Sequence, residues 1–258
     1  MNDLGLAAVQ TRYSLRGFLR DPRALLLTVI MPVFLVVILN TVFRGHTRFA
    51  GLRVPTGSYY TASIAAYVVM MTGFGSLLVS VTAARERGLL KRFRGTPMPS
   101  WIYLAAEILQ NILVVAATVV VLVAVGLAFY HVHLSWHMVV GLVVYVLVGT
   151  ACFSALGLAA TKVCTTTDAA SAFGPFSTVV LSFISGVFVP VAIMPTWLVD
   201  VGKVFPLEHV AHGLQTAFLV PGSTGITAVD LTVIAAWGIA GLLVAMRTFR
   251  WESLGGGA

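Results

Sequence analysis

From about Trp101 to Tyr130 the chain runs for some thirty residues with a single charged side chain, Glu107. A run of that kind constrains the fold more than any other feature. A helix rises ~1.5 Å per residue and a bilayer's hydrocarbon core is ~30 Å thick, so about 20 apolar residues make a span. Five further stretches fit the same description: Ala24–Phe43, Tyr59–Ala84, Met138–Thr161, Ala172–Val189 and Leu231–Thr248. The composition agrees, with 59% hydrophobic and only 10% charged residues, against about 25% charged in a soluble domain. The expected fold class is therefore an all-α integral membrane protein with six transmembrane helices. An N-terminal amphipathic surface helix, a charged helix between spans two and three, and an outer re-entrant hairpin before the last span complete it.

The net charge of +7 follows membrane topology rather than nucleic-acid binding. With both termini placed inside, the inner segments hold Arg12, Arg16, Arg20, Arg23, Arg85, Arg87, Lys91, Arg92, Arg94, Lys162, Arg247 and Arg250. The outer ones hold only Arg44, Arg48, Arg53 and Lys203. Basic residues favour the cytoplasmic side, so both termini are expected there. Met1 to Arg23 has no continuous apolar core ahead of its arginines, so it does not read as a cleavable signal and the first span is expected to be retained. Cys152 and Cys164 give neither a disulfide framework nor a metal spacing.

The chain divides into a surface helix over 1–23, spans one to five over 24–189, an outer hairpin over 190–230 and span six over 231–250, all within one transmembrane domain of 1–258. In the first segment, Arg12, Arg16, Arg20 and Arg23 fall within about 80° of one another at ~100° per residue. Such a helix lies along the membrane with its arginines among lipid phosphates. Asp21-Pro22 supplies an N-cap and first-turn proline for span one, and Pro32 is expected to kink it. The segment 190–230 is too apolar for a solvated loop and too broken by Pro190, Pro195, Pro206 and Pro221 for a span. Short helices dipping into the outer leaflet suit it, where packing against protein satisfies their backbone.

Several polar residues invite a role. Glu107, Gln110 and Asn111 lie in the third span; structural pairing near the inner interface is expected of Glu107, with substrate contact as the alternative. Asp168 is expected to cap span five. Glu208-His209 and His212 give the order E-H-x-x-H, neither of the zincin orders, and no third ligand is evident, so no metal is expected and the histidines read as interfacial. Phe34, Asn40, Met70, Met71, Phe74, Phe173, Phe176, Phe183 and Phe188 are candidates to line a pathway. Ala151, Ala155 and Ala159 allow close helix approach in span four. Gly202-Lys203 stands in no glycine-rich phosphate loop, so any ATP must be bound by another chain.

The charged segment reads Ala84-Arg85-Glu86-Arg87-Gly88-Leu89-Leu90-Lys91-Arg92-Phe93-Arg94-Gly95-Thr96-Pro97-Met98-Pro99. Leu89, Leu90 and Phe93 sit at helical spacing on a basic peptide that Pro97 stops. It suits either docking into a partner's groove or anchoring to anionic lipid. This string resembles the one that follows the second span in membrane subunits of ABC-2 type exporters, the daunorubicin-resistance and nodulation-exporter group, with Glu86 as the acidic position retained. The stretch Ser185-Gly186-Val187-Phe188-Val189-Pro190, with Met194-Pro195-Thr196-Trp197-Leu198 and Phe205-Pro206-Leu207-Glu208-His209, is similar to the same group's region before the last span.

The resemblance implies a permease subunit in a bacterial cytoplasmic membrane that exports an apolar or amphipathic substrate. It implies two ATPase subunits carrying ATP and Mg, and a second permease chain, identical or homologous. Glu86, Arg87, Leu89, Leu90, Arg92 and Phe93 would couple to the ATPase, and the helix bearing Arg12, Arg16 and Arg20 would be the connecting helix among membrane lipid. A secondary transporter or an intramembrane enzyme is the alternative. The former lacks a visible inverted repeat, and the latter lacks a histidine at membrane depth.

Overall fold

The computed structural model describes residues 3–88, 100–130 and 132–248. In chain order the elements are α1 (Asp3–Leu19), α2 (Pro22–Val42), strands β1 (His46–Phe49) and β2 (Leu52–Pro55), and α3 (Thr56–Met70). A π-helical turn (Met71–Ser76) carries α3 into α4 (Leu77–Glu86). Then come α5 (Ser100–Phe129), α6 (Trp136–Ala160), α7 (Thr167–Ile184), a 3-10 turn (Val191–Ile193), α8 (Thr196–Gly202), α9 (Pro206–Leu219) and α10 (Ala228–Thr248). This is an all-α membrane protein with one small hairpin.

Five helical stretches among the described residues are long and apolar enough to cross a membrane: Leu25–Val42, Thr56–Glu86, Ala105–Phe129, Trp136–Ala160 and Ala228–Arg247. They match expected spans one to four and six. The expected fifth span is α7, which is not among the five. It is as long as the Leu25–Val42 stretch, 18 residues, but Thr167, Asp168, Ser171 and Pro175 make it less apolar.

Helix α3 is the axis of the bundle, with every residue from Thr56 to Met70 buried. Its sequence suits that place. Gly57, Ala62, Ala65 and Ala66 let neighbours approach, and its hydroxyls return to the backbone: Thr61 donates to Gly57 O at 2.8 Å and Ser63 to Tyr59 O at 2.8 Å. Such back-bonding lets a serine or threonine enter an apolar interior without an orphaned donor. By contrast α2 leaves Leu27, Ile30 and Phe34 uncovered, as a helix bathed in lipid can.

A close backbone contact lies where α6 crosses the π-helical turn. A Cβ on Gly157 would stand 2.8 Å from the Phe74 carbonyl oxygen. Of the expected alanine stripe, Ala155 meets Gly241 of α10, with Leu156 beside it, while Ala151 is exposed.

Three local features differ from expectation. The segment expected as a plain outer loop pairs as a hairpin with Phe49 opposite Leu52, and Ala50 and Gly51, both at positive φ, form its two-residue turn. The second span is interrupted at Met71–Ser76, where Gly73 and Gly75 flank Phe74. The cap of α7 is Thr166, whose hydroxyl accepts from Ala169 N–H at 3.2 Å, while Asp168 sits in the first turn and favours the helix dipole.

Candidate functional site

Two adjacent side chains at the end of α4 grip the turn between α6 and α7. The Arg85 guanidinium donates to Thr161 O at 2.9 Å and to Cys164 O at 3.2 Å, carbonyls at and just beyond the end of α6. The Glu86 carboxylate accepts from Thr167 N–H at 3.0 Å and from the Thr167 hydroxyl, at the start of α7. A cation on a helix C-terminus and an anion on a helix N-terminus each complement the local dipole. The pair thus forms a two-sided strap. Gly88, at φ +68, ends the helix in the left-handed conformation that a C-terminal cap needs. Leu89, Leu90, Arg92 and Phe93, expected to couple to the ATPase, lie outside the described residues. Glu86 and Arg87 are exposed.

Beside the strap is a cavity of about 930 Å³. Its walls come from α1 (Ser14, Phe18), α2 (Thr28, Met31), the second span (Tyr67, Met71, Ser80, Arg87), α5 (Glu107, Gln110) and α7 (Pro175, Thr178). Ser14 donates its hydroxyl to Glu107 Oε1 at 3.2 Å, so α1 is pinned to α5 by a polar contact at the cavity rim. The Thr11 hydroxyl reaches Ala106 O at 3.5 Å on the same face. Arg12, Arg16 and Arg20 point away and are exposed. Glu107, expected to pair structurally, meets a serine of α1 and also borders the cavity.

Of the residues expected to line a pathway, Met71 alone borders this cavity. Asn40, Met70 and Phe74 are buried in helix packing, Asn40 donating to Val36 O at 2.9 Å. Phe34, Phe176 and Phe183 stand exposed on α2 and α7. Gln110 lines the cavity as Glu107 does, and Asn111 is buried beside them. Apolar composition could not separate these positions, because a helix in lipid is apolar on its outward faces too. Tyr67 and Thr178 escaped notice for the same reason. The glycine pair around Phe74 was the available signal, since π-helical turns cluster at functional sites.

A second polar cluster sits at the other end of the bundle, near Thr56. It joins α9 to the head of α10. His209 Nδ1 lies 2.7 Å from Asp230 Oδ1, and His209 Nε2 lies 2.8 Å from Lys203 O. His212 Nδ1 is 3.0 Å from Asp230 Oδ2, and Glu208 Oε2 is 3.5 Å from His209 Nδ1. Hydrogen bonding to Asp230 raises both histidines above their ordinary range, and burial raises Glu208. His209, expected at an interface, is buried. Next to the cluster, Tyr59 donates to Gly186 O at 2.6 Å, and Gln215 donates to Ser63 Oγ at 2.9 Å and to Gly186 O at 3.2 Å.

Residues 7–219 match the ABC-2 type transporter family, which covers well over half of the chain. The chain belongs to that family. It is a multi-pass membrane protein and the permease component of an ABC transporter, which works with ABC ATPase partners. No curated protein matches the chain.

Proposed function

We propose that this chain exports an apolar or amphipathic molecule from the cytoplasmic side outward, as one of two permease chains served by two ATPase subunits that bind ATP and Mg. Both termini and the strap then face the cytoplasm of a bacterial cell, and α7 crosses the membrane as a short sixth span. The motifs around Glu86 and Pro190 support kinship with the drug-resistance and nodulation exporters.

The observation that carries this reading is the strap beside the cavity. Residues 89–99 continue directly from Glu86, and Glu86 holds the first residue of α7. A displacement of that segment by an ATPase moves the α6–α7 turn, and α7 is a wall of the cavity. The cavity is mostly apolar with a few polar groups, Glu107, Gln110 and Arg87, as a site for an amphipathic guest requires. Phe34, Phe176 and Phe183, exposed on α2 and α7, are then presented to the second permease chain and the pathway between the two. Leu90 fills the ATPase cleft, with Glu86, Arg87, Leu89, Arg92 and Phe93 around it.

Co-purification of the chain with an ABC ATPase, weighed intact by native mass spectrometry, tests the assembly. Two permease chains and two ATPases are expected; one permease per two ATPases, or a chain that transports down an ion gradient with no ATPase, would contradict it. Cysteines placed at Arg53, which is exposed, and at Arg94 should label from opposite sides of the membrane.

A further inference from the structure

The cluster between α9 and α10 has the composition and spacing of a metal centre. His209 and His212 lie three residues apart on α9, an interval that sets two side chains on one helix face, and Glu208 adjoins them. Asp230 arrives from the first turn of α10. One ligand atom from each of Glu208, His209 and Asp230 lies within 4.8 Å of the others. We propose that Glu208, His209, His212 and Asp230 bind one divalent transition cation of the zinc class, which cross-braces the outer hairpin to the last span.

The hydrogen bonding around the cluster supports this choice. The Lys203 carbonyl can only accept, so His209 carries its hydrogen on Nε2, where the carbonyl lies 2.8 Å away. Nδ1 then faces two carboxylates, Asp230 Oδ1 at 2.7 Å and Glu208 Oε2 at 3.5 Å; without an ion it shares a proton with Asp230, and a bound cation takes that proton's place. An imidazole fixed by a backbone carbonyl on its far nitrogen is the usual second shell of a metal-binding histidine. Asp230 is oriented in turn, its Oδ2 accepting from the Thr227 hydroxyl at 2.7 Å. Glu208 accepts no hydrogen bond among the described residues, although its side chain is only 17% exposed. Glu208 thus keeps its carboxylate oxygens available to an ion that replaces the protons of the cluster.

Three of the four ligands require little movement, and His212, 3.0 Å from Asp230 Oδ2, turns in to complete the set. Ligands at ~2.0–2.2 Å in a tetrahedron stand roughly 3.3 Å apart. The Nδ1–Oε2 separation of 3.5 Å already fits, and the Nδ1–Oδ1 pair at 2.7 Å must open by roughly 0.6 Å. His212 is the most exposed of the four, its side chain 43% accessible, and it gives the ion an entry path. Imidazole with carboxylate favours zinc-class ions over calcium or magnesium, which take all-oxygen sets.

The test uses the full chain, purified on a tag without histidines, placed in lipid nanodiscs, stripped with chelator and titrated with Co²⁺ and then Zn²⁺ at neutral pH. One Co²⁺ per chain with the visible absorption of a four-coordinate site is expected, displaced by one Zn²⁺. Glu208→Gln removes a ligand that holds no hydrogen bond, so the chain should fold and lose more than the ~10–100-fold in affinity that a second-shell change costs. His212→Gln provides the same reading if the first variant purifies poorly. Failure to bind one equivalent, an unchanged affinity in either variant, or loss of binding only when His133 and His137 are both replaced would overturn the proposal. In the first case the histidines hold Asp230 with protons alone.

Discussion

The buried carbonyl of Gly186 accepts two hydrogen bonds, and removing them one at a time should cost far less than removing both. Tyr59, Gln215 and Ser63 are all buried. Tyr59→Phe deletes one donor, but the Gln215 amide still reaches Gly186 O at 3.2 Å, so the loss should be about 1 kcal/mol, the net worth of one hydrogen bond. Gln215→Met keeps the length of the side chain and deletes two bonds, to Ser63 and Gly186, while Tyr59 still serves Gly186 O at 2.6 Å; about 1–3 kcal/mol is expected. The double variant orphans the carbonyl, which adds the desolvation penalty of an unsatisfied buried acceptor, about 1–3 kcal/mol. The double-mutant cycle should therefore show a destabilising coupling of at least about 1 kcal/mol. Denaturant unfolding in mixed micelles, followed by tryptophan fluorescence, provides the four stabilities. Additivity to within about 0.5 kcal/mol would show that the two side chains do not share this acceptor and that α3, α7 and α9 are not joined through it.

Two other predictions follow from single positions. Gly157→Val places its branched carbons against the Phe74 backbone, where even a Cβ stands 2.8 Å from the carbonyl, so overpacking should cost about 1–3 kcal/mol and lower the melting temperature; Gly17→Ala, which meets nothing within 4 Å, should leave it unchanged. Burial raises the Cys164 thiol above its ordinary range, so little thiolate forms at neutral pH and maleimide should label it more slowly than a cysteine at Val163, which is 78% exposed; labelling of Cys164 should quicken as pH rises, and equal rates at the two sites would refute the placement.

The membrane class was legible because lipid imposes a rule on sequence: a span must be apolar throughout its length. The same rule hides the rest. Phe34, Phe176 and Phe183 look like lining residues beside Met70 and Phe74, yet the first three face outward and the last two are core. Hydrophobicity does not distinguish a face turned to lipid from one turned to protein. Small and hydroxylated residues in α3, Gly57, Ser63 and Ala66 among them, mark the buried helix better than its valines do. The histidine cluster was half visible, since Glu208, His209 and His212 are neighbours, but Asp230 stands 18 residues beyond His212 and only the fold brings it back. Arg85 and Glu86 drew notice as members of a basic segment. That one caps α6 and the other α7 depends on a packing that no local pattern encodes.

The account turns on force passing from the segment after Glu86 into α7, and transport per ATP hydrolysed measures it most directly. Permease and ATPase reconstituted together in vesicles should hydrolyse ATP and move an amphipathic substrate in the wild type. With Glu86→Ala or Leu90→Ala, membrane insertion and ATPase binding should persist, hydrolysis should continue, and transport per ATP should collapse. Unchanged transport and substrate-stimulated hydrolysis in both variants would contradict the account, and would leave the charged segment as an anchor to anionic lipid.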